Sequence, residues 1–340
     1  MLGVIRGGGC VKKSIYVFKD GELKREANTL CLITEEGKRF IPVEDISEIH
    51  VFGEMDLNKR LLEFLTEKEI ILHFYNHYGY YTGSYYPREH LNSGYMTVKQ
   101  VEHYLNPVLR LELARAFVTG ACKNIRQVLA YYQRRDKEVN DAIDRIDNLG
   151  ASLEATHSIE QLMAIEGNIR DTYYASFDTI LGNPDFPFVE RSKRPPGNEL
   201  NALISFGNSL MYTTTLSEIY RTHLDPRIGF LHSSNFRRFS LQLDVAEIFK
   251  PIIVDRVIFT LVSKRMLKKS NFEKRLNGIV LTASGRTMFI KEFEDKMMTT
   301  IKHRDLGRNV TYRRLVRMEL YKLEKHFMGE KKYEPFVARW

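Results

Sequence analysis

Nowhere does the sequence offer an apolar stretch approaching the roughly 18 residues that a bilayer span needs. Its start, MLGVIRGGGCVKKS, has no apolar segment leading to a small-residue cleavage site, so the expectation is a cytoplasmic protein. Cysteine is scarce: Cys10, Cys31 and Cys122 are odd in number, widely spaced and form no C-x-x-C. Neither a disulfide framework nor a cysteine zinc site is suggested, and these residues read as buried thiols. Nucleotide-binding signatures are missing as well. Gly3, Gly7, Gly8 and Gly9 do not follow a strand of a βαβ unit, and Gly37-Lys38 precedes Arg39 where a phosphate-binding loop needs Ser or Thr. There is no internal repeat and no low-complexity tract.

What is present is an ordinary soluble composition, 43% hydrophobic and 28% charged, spread over 340 residues. At roughly 150 residues per domain, that length suggests two domains. The first ninety residues alternate β-branched or aromatic runs with turns: SIYVF, NTLCLIT, RFIPV, SEIHVFG, EIILHFYN and YYTGSYYP. Asp20-Gly21 and Glu36-Gly37 supply the positive φ that tight hairpins demand, which points to an antiparallel β domain. Asn58 to Lys68 interrupts it with Leu61, Leu62 and Leu65 at helical spacing, one helix between two strands.

From about Thr97 the period changes to 3.6, and helices are expected over Pro107 to Tyr132, Ser158 to Leu181, Glu199 to Thr222, Ser240 to Lys268 and Asn309 to Met328. Asn106 caps the first, with Pro107 at its first position. Ser158 and Gln161 form a capping box for the second. Asn183 to Glu199 is polar and Pro-rich and cannot be regular helix. The fold class is therefore α+β: a β-strand domain over 1–90, a linker over 91–96 and a larger all-α domain over 97–340.

The net charge of +8 is uneven, because Leu261 to Trp340 holds 20 Lys and Arg against 9 Asp and Glu. Clustered cations release counterions from a phosphate backbone, so a polyanion partner is one reading and a solvated basic surface is the other. His73 and His77 stand at i, i+4, but HFYNHYGYY is strand-like, so the imidazoles share no helix face and a structural role is expected. The rings around them, Phe74 through Tyr86, read as sheet core and interface in preference to base stacking.

The informative segment is SLQLDVAEIFKP, Ser240 to Pro251, which sets Asp244 and Glu247 at i, i+3 on a helix apolar almost all round. Two neighbouring carboxylates do not stay ionised in a dry core without a cation, and a divalent metal is the natural one. The plainer alternative is an ion pair with Arg237, Arg238 or Lys250. His232 sits in a loop leading into this helix. Glu166, in MAIEGNIRDTYY, lies at the edge of a stripe of Leu162, Ile165 and Ile169, beside Gly167, which would permit close approach. Spacing alone does not bring Glu166 and His232 together.

Taken in order, EGNIRDTYY from Glu166, KRPPGNELNALISFGNSLMY from Lys193, LDPRIGFLH ending at His232 and SLQLDVAEIFKPIIVDRV from Ser240 resemble the CRISPR-associated integrase-nuclease family of spacer acquisition. The resemblance spans nearly the whole chain, including the strand-rich start with its VFG turn. It implies that Glu166, His232 and Glu247 are the metal ligands, with Asp244 an additional acid one helical turn earlier, either direct ligand or support. The family's element reads D-x-x-D/E; Glu in place of Asp at 247 is tolerable because both are hard oxygen ligands, but it moves the carboxylate by about one methylene, which matters to an octahedral ion. Lys250 follows the acidic pair as a lysine does in some members, and Tyr212 resembles a tyrosine near the family's site; both join the catalytic candidates.

The resemblance further implies DNA as partner (a spacer duplex and a CRISPR repeat), joined by 3′-OH attack on a phosphodiester, with water replacing the hydroxyl in cleavage. It implies a homodimer formed through the β domain and a complex with a small ferredoxin-like CRISPR-associated adaptation partner. A histidine beside carboxylates favours Mn²⁺, so activity with Mg²⁺ and Mn²⁺ is expected. Arg191, Lys193 and Arg194 of the Pro-rich loop, with Arg237 and Arg238, are candidates to grip phosphates. The rival functions are a structure-specific nuclease on branched DNA in repair and a non-catalytic DNA-binding scaffold.

Overall fold

The structure, a computed structural model, describes residues 12–88, 91, 93–192, 195–232, 239–275, 278–303 and 307–339. The N-terminal region runs β1 (Lys13–Val17), β2 (Gly21–Glu26), β3 (Thr29–Thr34), β4 (Gly37–Pro42), β5 (Ile46–Val51), β6 (Met55–Leu57), α1 (Lys59–Glu67), β7 (Ile71–Tyr75) and β8 (Tyr81–Tyr85). These form two four-stranded sheets, β1-β5-β7-β8 and β4-β3-β2-β6.

The pairing is mixed where antiparallel pairing was expected throughout. β2-β3-β4 and β7-β8 are antiparallel, but β1-β5, β5-β7 and β2-β6 are parallel. Parallel neighbours need crossovers, which the β2–β4 excursion and α1 supply. Gly37 closes the β3–β4 hairpin at φ +119, whereas Gly21, at φ +154, turns the chain from one sheet into the other; a Cβ there would meet Ile33 O at 2.0 Å. Asn58 caps α1 by accepting from Leu61 N–H at 3.0 Å, and Leu61, Phe64 and Leu65 face inward.

Alternation along the first sheet sorts its side chains between two cores. Ile15, Val17, Ile49, Val51 and Leu72 join the β-domain core with Leu23, Leu32, Leu61 and Phe64. On the opposite face, Tyr16 and Tyr75 join the core of the helical part, and Ser14, Glu48, His50 and His73 are buried beside them. A sheet with parallel strands covered on both faces is the expected setting for such hydrophobic runs.

The helical part comprises α2 (Gly94–Leu105), α3 (Pro107–Gln133), α4 (Asn140–Ala151), α5 (Ile159–Ala175), α6 (Phe177–Leu181), α7 (Glu199–Ile219), α8 (Leu241–Phe249), α9 (Arg256–Ser263), β9 (Phe272–Arg275), β10 (Gly278–Leu281), α10 (Ala283–Met298), β11 (Thr300–Lys302), β12 (Asn309–Thr311) and α11 (Tyr312–Phe327). Two hairpins, β9-β10 and β11-β12, thus interrupt a region expected to be all helix. Asn106 caps α3 as expected, accepting from Val108 and Leu109 N–H. Ser158 caps α5, but Gln161 returns to His157 N–H at 2.9 Å, not to Ser158. The single helix expected from Ser240 to Lys268 is broken by Pro251, which starts a π-helical turn, Pro251–Asp255, closed by Asp255 N–H to Lys250 O at 3.1 Å.

A buried polar network joins the two parts. Arg313 Nη1 donates to Glu48 at 2.8 Å and Nη2 to Glu294 at 2.9 and 3.1 Å. Ser14 hydroxyl donates to Glu48 at 2.5 Å and Tyr16 hydroxyl to Glu294 at 2.6 Å. His73 Nε2 meets Ser217 Oγ at 2.9 Å, and Tyr75 OH meets Thr213 Oγ1 at 2.8 Å. His73 therefore has the structural setting expected of it, while the His77 ring lies against Tyr78, 3.7 Å between centroids. Arg317 pairs with buried Glu218 at 2.5 Å. Part of the C-terminal cationic excess is thus spent inside the fold. Cys31 and Cys122 are buried free thiols, and Cys10 lies outside the described residues.

Candidate metal centre

Helix α8 packs against both α3 and α7 and is buried at every position except Leu243. Asp244 and Glu247 are consequently taken out of water together, and each has found different partners.

Asp244 is fully engaged. Its Oδ2 accepts from Phe230 N–H at 2.5 Å and Leu231 N–H at 3.1 Å; its Oδ1 accepts from His232 N–H at 3.0 Å and contacts His232 Nδ1 at 2.8 Å. The carboxylate thereby folds the Phe230–His232 loop around itself and fixes the imidazole with Nδ1 as donor, which leaves Nε2 as the nitrogen free to bind an ion. Burial would depress the His232 pKa, but the Asp244 hydrogen bond and charge outweigh it and the pKa rises. Ser240 assists, its hydroxyl accepting from Gly229 N–H at 2.9 Å and donating to Arg227 O at 2.8 Å. Gly229 is required by contact: a Cβ there would meet Ser240 C at 2.7 Å and Asp244 Oδ2 at 2.9 Å.

Glu247 is gripped by cations instead. Lys250 Nζ donates to its Oε1 at 2.6 Å, and Arg170 Nη2 donates to its Oε2 and, at 3.3 Å, to its backbone carbonyl. Burial would raise the Glu247 pKa; Lys250, Arg170 and His232 reverse this and hold it at about 2. Burial likewise works against the charge on Lys250, and Glu247 more than restores it. The same Arg170 reaches Glu166 Oε1 with Nε at 3.0 Å, one helical turn along α5. Glu166 and Glu247, 81 positions apart in sequence, are therefore bridged by one guanidinium. Tyr212, half-buried on α7, places its hydroxyl 3.4 Å from Lys250 Nζ.

Arg170 and Lys250 thus link Glu166, Glu247 and Tyr212, while Asp244, three residues before Glu247 on α8, holds His232; Glu166, His232 and Tyr212 are half-buried and Asp244, Glu247 and Lys250 buried. Two carboxylates and an imidazole with a fixed tautomer are a donor set suited to a hard divalent ion. The expectation for Gly167 is not met: nothing among the described residues lies within 4 Å of where its Cβ would be. Arg191 is turned into the fold, donating to Asn201 Oδ1 at 2.8 Å and Ser205 Oγ at 3.0 Å, so it anchors its loop to α7. Lys193, Arg194, Arg237 and Arg238 lie outside the described residues.

Two further buried ionisable residues, Arg170 and Asp255, lie against this cluster. Arg170 was signalled only by its i, i+4 spacing from Glu166. Asp255, at the end of the π turn, is pushed up to about 7 by burial despite Arg170 and Lys250 nearby. The sole trio of ligand-type side chains among the described residues whose donor atoms all lie within 4.8 Å of one another is elsewhere, Glu48, His50 and His73; Glu166, His232 and Glu247 do not come that close together. Arg313 pairs with Glu48 at 2.8 Å, and burial pushes the His50 pKa down to about 4. The trio belongs to the network joining the domains.

The family model for CRISPR associated protein Cas1 matches residues 15–295. A protein of Thermodesulfovibrio yellowstonii, named CRISPR-associated endonuclease Cas1 2, is 59% identical over 330 residues, covering 97% of this chain and 100% of its own. A solved Cas1 structure from Thermotoga maritima superposes with a TM-score of 0.88 at 46% identity, covering 95% of this chain and 99% of that one. A casposase bound to an integration product shares the fold at a TM-score of 0.82 and 19% identity, covering 95% and 93%. The chain belongs to the CRISPR associated protein Cas1 family.

Proposed function

We propose that the chain is a metal-dependent DNA endonuclease and integrase that inserts short DNA fragments into a CRISPR array, using Glu166, His232 and Glu247 to hold Mg²⁺ or Mn²⁺. The observation that carries this reading is the pairing of His232 with Asp244, which points one imidazole nitrogen away from its support, beside carboxylates that share a guanidinium. The relative from Thermodesulfovibrio yellowstonii, named an endonuclease, supports it.

A divalent ion so held would align the attacking 3′-OH or water and neutralise charge developing on the phosphate. The chain's own residues do the rest. Asp244 keeps the His232 proton on Nδ1. Lys250, charged and in contact with both Glu247 and Tyr212, supplies a positive group for a phosphate oxygen. The half-buried Tyr212 hydroxyl, 3.4 Å from Lys250 Nζ, would donate to the same phosphate. Basic residues of the 193–194 and 233–238 segments would grip the DNA backbone. In this reading the β domains pair two copies, and a small ferredoxin-like CRISPR-associated protein joins two such dimers.

No helix among the described residues is long and apolar enough to cross a membrane. The test is a strand-transfer and cleavage assay on a repeat-containing duplex with the small partner and Mn²⁺ or Mg²⁺. Glu166→Ala, His232→Ala and Glu247→Ala should each lose both reactions, roughly a thousandfold or more. Retention of both by any one variant would overturn the assignment.

A further inference from the structure

Arg170 holds a position that ordinary structural ion pairing does not require. It is buried on α5, it reaches Glu166 with Nε and Glu247 with Nη2, and its Nη1 has no hydrogen-bond partner among the described residues. Lys250 already neutralises Glu247 at 2.6 Å, so the second cation does more than balance that charge. The guanidinium is planar, and its Nε and Nη2 grip two different carboxylates, which fixes their separation as a flexible ammonium does not.

We propose that Arg170 is a positioning residue that sets how tightly the carboxylate pair binds divalent metal: it spaces Glu166 and Glu247 and competes with the ion for their oxygens. This rests on the metal assignment above. An ion entering between the carboxylates meets a fixed positive charge a few ångströms away in a buried setting, where like charges repel strongly. Metal entry therefore requires the guanidinium to release Glu247. The site binds metal weakly and exchangeably as a result, and removing the charge strengthens the binding.

Mn²⁺ titration by calorimetry of the full chain, wild type beside Arg170→Met, Arg170→Lys and Glu166→Ala, tests this. Arg170→Met should bind Mn²⁺ about tenfold more tightly, as expected when one neighbouring like charge is removed. Arg170→Lys, which keeps the charge but loses the fork that spaces the two carboxylates, should bind Mn²⁺ no more tightly than wild type. A purely structural role would weaken or leave unchanged the affinity of both. Equal or weaker binding by Arg170→Met, with wild type binding and Glu166→Ala not, overturns the inference alone. Failure of wild type to bind overturns the metal assignment with it. Should Arg170→Met not fold, a Mn²⁺-soaked wild-type crystal gives the answer: Arg170 away from the Glu247 carboxylate supports the inference, and Arg170 still bound to it refutes it.

Discussion

Replacing Asp244 with Asn keeps shape and volume but exchanges one acceptor oxygen for a donor. In the wild type, Oδ2 serves Phe230 and Leu231 N–H, and Oδ1 serves His232 N–H and Nδ1. An amide turned with its oxygen to Phe230 and Leu231 presents NH₂ to His232. The imidazole can answer by changing tautomer, accepting at Nδ1 and carrying its proton on Nε2. The His232 backbone N–H cannot answer, and one buried donor without a partner costs roughly 1–3 kcal/mol. The opposite amide orientation strands two backbone donors and costs about twice that, so the first prevails. The stability loss is then moderate, while the proton on Nε2 removes the lone pair that an ion would use. Mn²⁺ affinity should fall roughly 10- to 100-fold, the usual range for losing such a support. Urea unfolding reads the first quantity and calorimetric Mn²⁺ titration the second. Asp244→Asn with stability within about 0.5 kcal/mol of wild type and unchanged Mn²⁺ affinity would refute the reasoning.

Arg313→Met leaves Glu48 and Glu294 buried without their cation and should destabilise the chain by roughly 3–5 kcal/mol in urea unfolding; a loss below about 1 kcal/mol would show the network to be incidental. Gly229→Ala forces a Cβ against Ser240 and Asp244 and should cost roughly 1–3 kcal/mol, with weaker Mn²⁺ binding; a neutral result in both would contradict the tight loop. Asp255, folded at about 7, binds its proton more tightly than in the unfolded chain, where the value is about 4. Its stabilising contribution is therefore full below about pH 4 and is lost as pH rises to about 7. Asp255→Asn should gain stability relative to wild type between pH 5 and 8, which melting curves at both pH values would show; a difference independent of pH would count against the buried, reluctant carboxyl.

Helix periods, caps and the apolar helix carrying Asp244 and Glu247 were legible in sequence because they depend on residues within a turn or two of each other. The parallel pairing of β1, β5 and β7 was not. Alternation marks which residues face inward, and both hairpin and crossover connections satisfy it. The break at Pro251 was visible in principle, since proline inside a helical run removes a donor. Recognition of ordered motifs put Glu166, His232 and Glu247 on one list. What no spacing could convey is that Asp244 spends both its oxygens on the Phe230–His232 loop, or that one arginine reaches Glu166 and Glu247 at once. Those are tertiary contacts between α5, α8 and a loop. The two hairpins within the helical part were hidden by their shortness, three or four residues per strand.

The claim that Glu166, His232 and Glu247 form one divalent-metal site is tested most directly by anomalous diffraction at the manganese edge from Mn²⁺-soaked crystals. A peak about 2.0–2.3 Å from His232 Nε2 and from carboxylate oxygens of Glu166 and Glu247 is the expected result. No peak there, or one lodged among Glu48, His50 and His73, would contradict it.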